Sequence, residues 1–147
     1  MLEQLLPRIE GHGTVLCLAP LAPAEGVFCA TAKDCYLMAN AVEHPSFGLH
    51  LATAPLTASG ETGHATFIVL NGRLDHIHLD EPGLLPLGTS GTVDHADMRR
   101  HLAAISYRNY ATVVQRCLPA VDDDYALRAA AQAVAFAADH YLPVDTR

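Results

Sequence analysis

A chain of 147 residues, half of them hydrophobic and 17% charged, has enough apolar material for one domain with its own core. Its 9 Lys and Arg against 16 Asp and Glu give a formal net charge of -7 without a basic cluster. That argues against nucleic acid and anionic membrane as partners, since both need dense Lys/Arg surfaces.

No apolar run approaches the length of a membrane-spanning helix, and the N-terminus lacks the basic-then-apolar order of a signal peptide, so a cytoplasmic location is expected. In chain order, residues 2–9 read as a helix and 14–18 as a short strand, followed by a loop at 20–26 carrying Pro20, Pro23 and Gly26. Thr31 is a plausible cap for a helix over 32–42, whose apolar positions recur at helical spacing. A second strand at 47–51 precedes a loop expected from Pro55 to Gly63 and a short helix at 65–70, a stretch of high β-propensity. The third strand is 74–79, and 82–91 is the most loop-like stretch of the chain.

Asp94 or Val93 opens a helix running through Met98 and Leu102 to Ile105, and 110–114 is the fourth strand. Asp122, Asp123 and Asp124 put negative charge at the start of a final Ala-rich helix over 125–140, where the helix dipole favours it. Strands alternating with helix-length segments predict an α/β fold with a parallel sheet. With no linker, repeat or low-complexity tract, residues 1–147 form a single domain.

Cys17, Cys29, Cys35 and Cys117 include no C-x-x-C pair, so a zinc ribbon or a thioredoxin-like site is not expected, and they read as reduced structural thiols.

The phrases around the four strands resemble one family in order. Cys17-Leu18-Ala19-Pro20, His44-Pro45-Ser46-Phe47-Gly48-Leu49-His50-Leu51-Ala52-Thr53, His76-Ile77-His78-Leu79-Asp80-Glu81-Pro82-Gly83-Leu84, Val93-Asp94-His95 and the segment from Tyr107 to Arg116 are similar to the last four βα units of the sugar phosphate isomerase/epimerase family, xylose-isomerase-like TIM barrels. The resemblance spans about Leu2 to Tyr141. It implies a (βα)4 half of a TIM barrel, with parallel strands inside and helices outside, because a full barrel takes about 250 residues. A natural half-barrel, one subunit of a split barrel and a truncated product all remain open at this point.

The resemblance also implies where a divalent ion would be held: at carboxylates on the fifth and sixth strands, a His on the seventh and a Glu on the eighth. In this chain those positions are Ala19, Ala52, His78 and Val114. One imidazole does not hold a hard or borderline ion, so the family's metal-assisted chemistry is not expected within one chain. The related AP-endonuclease reading is weakened for the same reason and by the missing positive groove.

Side chains alternate along a strand. If Ala19, Ala52, His78 and Val114 point into the barrel, Cys17, His50, His76, Asp80, Thr112 and Arg116 share that side. His50, His76 and His78 then form a cluster able to move protons near neutral pH without a metal. Glu81 or Asp80 can orient an imidazole, Arg116 can bind a carboxylate or phosphate through its planar fork, and His95 is a further substrate-binding candidate. His12, His44, His64, His101 and His140 read as surface residues.

A four-stranded half-barrel leaves two parallel edges unpaired, which predicts closure by dimerisation into an eight-stranded pseudo-barrel. Such a homodimer would bring both sets of histidines towards one axis. A divalent metal at a symmetric His site is then conceivable, but nothing in the spacing requires one, so no cofactor is expected. The expected function is metal-independent proton transfer on a small carbonyl substrate: isomerisation, epimerisation, dehydration or cyclisation. The alternative is a catalytically inactive binding or scaffold subunit that completes or regulates a partner barrel.

Overall fold

The computed structural model of the chain describes residues 2–21, 28–116 and 123–142. The expected 20–26 loop beyond Leu21, Cys117, Asp122 and Pro143 lie outside the described residues. Helix α1 (Leu2–Ile9) leads into β1 (Leu16–Leu18), α2 (Ala32–Val42) and β2 (Phe47–Ala52). Two short helices, α3 (Thr53–Ser59) and α4 (His64–Leu70), precede β3 (Leu74–Leu79). A 3-10 turn (Pro82–Leu84), α5 (His95–Ala104), β4 (Ala111–Val113) and α6 (Asp123–Tyr141) complete the order. All four strands pair in parallel, in the sequence β1-β2-β3-β4.

Local chemistry explains most of the boundaries. The Thr31 hydroxyl accepts the Asp34 N–H at 3.1 Å and starts α2, and the helix stops at Glu43, which is left-handed and returns its N–H to the Ala39 carbonyl. A second acceptor reaches that N-terminus from far along the chain, where the Glu61 carboxylate takes the Ala32 N–H at 2.9 Å. Asp94 caps α5 through the Asp97 N–H at 2.8 Å.

The stretch from Pro55 to Gly63 corrects the expected loop, since its first half continues α3. Pro55 lies in the first turn, where an N–H has no intrahelical acceptor to lose, and Gly60 ends the helix at φ 72°. A proline there marks a helix start as readily as a loop.

One face of the sheet carries the core. Phe47, Leu49, Leu51, Leu74, Ile77 and Leu79 are all buried against the helices, where Cys35, Phe67, Leu70, Met98 and Leu102 meet them. Burying side chains of this size contributes roughly 1.5–3 kcal/mol each. The even-numbered residues His50, Ala52, His76 and His78 face the other way and are only partly buried. Among the described residues no further strand covers β1 or β4.

The alternation slips once. Leu49 pairs with Leu74 and His50 with His76, so Asp75 is an extra residue with no partner across β2. A Cβ on Gly48 would collide with the Asp75 carboxylate, so Asp75 lies on the histidine face despite its odd number. Burial raises its pKa above the usual carboxylate range. Beside it, Tyr107 is pushed up to about 12 by burial, with the charges of Asp75 and Cys17 adding to the effect.

Candidate functional site

The inner face brings three of the expected residues together. The His50 and His78 ring centroids are 3.9 Å apart, His76 and His78 are 5.2 Å apart, and His50 and His76 are 5.7 Å apart. Strand pairing sets this arrangement, because His50 lies across from His76 and Ala52 across from His78. His76 Nε2 bonds the Thr112 hydroxyl at 2.9 Å, tying the cluster to β4.

Burial, reinforced by His78 and His76, lowers the His50 pKa to about 4. Burial and the neighbouring His76 lower that of His78, with Asp80 opposing. Both rings are therefore neutral at pH 7 and present lone pairs rather than charge. His50 Nε2 is sealed from solvent and has no hydrogen-bond partner among the described residues.

The other expected residues are placed elsewhere. Asp80 accepts the Ala54 N–H at 2.9 Å and the Thr53 hydroxyl at 3.1 Å, serving as a cap for α3 supplied from another strand. Glu81 and His95 meet each other but not the three inner histidines. His95 Nε2 donates to Glu81 Oε1 at 2.9 Å, and the same oxygen takes the Gly88 N–H at 2.8 Å. The Ser90 hydroxyl binds the other carboxylate oxygen. His95 Nδ1 faces the Tyr141 hydroxyl at 2.6 Å, and burial raises the Tyr141 pKa, so the phenol keeps its proton and donates it to the ring. This network fastens the 82–91 loop and α6 to the sheet. Gly88 belongs to it for steric reasons as well, since a Cβ there would strike the Phe136 ring.

Arg116 is exposed just past β4 and lines an open cleft of about 180 Å³ with Pro86, Gln115, Tyr125, Ala126, Ala129 and Ala130. Sequence reasoning missed Ser90 and Tyr141, whose only signal is proximity after folding. It also missed Asp75, because strict alternation puts an odd residue of β3 on the core face.

The implied metal position does not fit an ion within this chain. Ala19, Ala52 and Val114 offer no side-chain donor, which leaves His78 alone. Among the described residues, no group of three or more His, Cys, Asp or Glu side chains is arranged to hold one. No helix of the described residues is long and apolar enough to cross a membrane.

No curated protein matches the chain by sequence. Solved structures do match by fold. D-psicose 3-epimerase from Clostridium cellulolyticum H10, solved with D-tagatose, superposes with a TM-score of 0.85 at 16% identity over 97% of this chain and 54% of its own. D-allulose 3-epimerase from Methylomonas sp., in complex with D-allulose, gives 0.84 at 21% identity over 95% and 53%. The 3-keto-D-glucoside 4-epimerase from E. coli gives 0.75 at 21% identity over 91% and 51%. The chain thus spans about half the length of these sugar epimerases, as a half-barrel does, and at these identities the likeness establishes the fold alone. The family model for the xylose isomerase-like TIM barrel matches residues 1–139, and the chain belongs to that family.

Proposed function

We propose that the chain is an isomerase/epimerase-type catalyst that moves a proton at the carbon next to a carbonyl in a small, sugar-like hydroxycarbonyl compound, without the ion its family holds. The observation that carries this reading is His50 Nε2, buried and unpartnered, beside a second neutral imidazole at His78. A buried polar nitrogen without a partner is costly, and in this reading a substrate hydroxyl reaches it when the partly exposed His78 ring turns aside. His78 then takes the proton α to the carbonyl and returns it to the other face or to the neighbouring carbon. His76, held by Thr112, keeps the pair in place. The epimerases of similar fold suggest ketohexoses and keto-glucosides as the first compounds to try.

The reading includes a second copy of the chain as the partner that closes the barrel. Its support is that β1 and β4 have unpaired edges among the described residues, together with the exposure of Tyr110, 86% open to solvent at the head of β4. The Arg116 cleft is the proposed anchor for a carboxylate or phosphate on the substrate.

The test is solvent exchange. Protein freed of metal by chelation is mixed with D-psicose, D-fructose, D-tagatose and 3-keto-glucosides in D2O, and deuterium at the α-carbon is followed by NMR. Wild type incorporates deuterium, and His78→Ala slows incorporation by roughly 10²–10⁴-fold with an unchanged circular dichroism spectrum. Equal exchange by the variant sinks the reading.

The runner-up is a non-catalytic subunit that completes or regulates another barrel. It is favoured by the lack of a donor at Ala19, Ala52 and Val114. Native mass spectrometry separates the two readings. A homodimer that exchanges deuterium supports catalysis, whereas a monomer that is inert alone and pairs with a metal-bearing barrel chain supports the scaffold.

A further inference from the structure

On the outer face of the barrel half, α4 and α5 bring two histidines nitrogen to nitrogen. His64 Nδ1 and His101 Nδ1 are 3.3 Å apart, with ring centroids at 5.4 Å. Phe67 fixes the approach. It lies one turn after His64, is fully buried, and stacks on the His101 ring at 5.1 Å and 23°. His64 is exposed, and the His101 side chain is 13% exposed, so an ion approaches the pair from the His64 side.

The other nitrogen of His101 decides the tautomer. His101 Nε2 lies 3.2 Å from Asp97 Oδ1, an arrangement that places the ring proton on Nε2 and leaves the Nδ1 lone pair aimed at His64. A carboxylate behind an imidazole in this way is the usual outer support of a metal-bound histidine. The separation also has a suitable size. Nitrogens bound at about 2.0–2.1 Å around a tetrahedral ion are roughly 3.3–3.4 Å apart, and with no ion between them the same two nitrogens are within hydrogen-bonding distance.

We infer that His64 and His101 form a two-imidazole site for a borderline divalent ion of the zinc class, clamping α4 to α5, with Asp97 as the positioning residue. Water fills the remaining coordination positions, because no third His, Cys, Asp or Glu among the described residues converges there. Arg100 bonds the same Asp97 oxygen at 2.7 Å from a side chain that is 71% exposed, and so withdraws part of the carboxylate's charge.

The site is independent of the proposed catalytic cluster, and the experiment keeps them apart. Untagged protein is titrated with zinc chloride at pH 7.5 by calorimetry, and the imidazole nitrogens are followed by long-range ¹H–¹⁵N NMR. One equivalent is expected to bind, shifting Nδ1 of His64 and His101 and raising Tm. His64→Gln, at an exposed position, abolishes this binding without a change in the metal-free Tm, and Asp97→Asn weakens it about 10–100-fold. Binding that survives His64→Gln but is lost in His78→Ala assigns the ion to the inner histidines and overturns the inference. Absence of saturable zinc binding to wild type overturns it as well.

Discussion

Two polar groups beside one small sheet are treated in opposite ways. In the Glu81–His95–Tyr141 network every named polar atom has a partner, and the His95 and Glu81 side chains are 4% and 1% exposed. In the His50–His76–His78 cluster one nitrogen has no hydrogen-bond partner among the described residues, and the rings are held mainly by each other and by Thr112. Both groups fall in segments that resemble motifs of the same family, yet only one is a closed circuit. A satisfied buried network holds the fold together, whereas an unpartnered buried nitrogen is the exception that the proposed function accounts for.

The sharpest way to break this comparison is Glu81→Ala. It strands His95 Nε2 in the interior and removes the acceptor of the Gly88 N–H and the Ser90 hydroxyl nearer the surface, and a loss of about 2–4 kcal/mol is expected in urea unfolding. A loss below about 1 kcal/mol would place Glu81 outside the structural class. Asp80→Ala comes next, at roughly 1–3 kcal/mol, because it removes the acceptor for Ala54 N–H and Thr53 at the start of α3.

The third effect depends on pH. With His50 at about 4 in the folded protein and 6.5 as its ordinary value, the unfolded chain binds the extra proton between these two values. The stabilisation is therefore fully present above pH 6.5 and is lost as pH falls towards 4. Thermal melts across this window should show Tm declining in wild type, with a shallower decline in His50→Phe. Smallest of all is Thr112→Val, which deletes the partner of His76 on an exposed strand and should shift stability by less than about 1 kcal/mol. It should nevertheless slow deuterium exchange by loosening the cluster, and an unchanged rate would remove Thr112 from the site.

Much of this molecule is legible in its sequence. The four strands, the Thr31 cap, the Asp94 cap and the parallel order follow from short-range patterns that the folded chain keeps. The meeting of His50, His76 and His78 follows from period-two alternation once the family resemblance sets Ala52 and His78 on the inner face. What alternation does not carry is any partner chosen in three dimensions. Tyr141 reaches His95 from 46 residues away, and Ser90 reaches Glu81 across the loop that follows β3. Glu61 closes α2 from 29 residues away. The helix at Pro55 was hidden because proline signals both a loop and a first helical turn, and only its neighbours choose between them.

The unpaired Asp75 has one more consequence. Position 48 has to lack a side chain only while position 75 is an extra residue bearing a carboxylate, so the two sites are locked as a pair 27 positions apart. In related chains they should covary. A sequence that drops the inserted residue is free to place alanine or valine at 48, and one that keeps an acid at 75 retains glycine there.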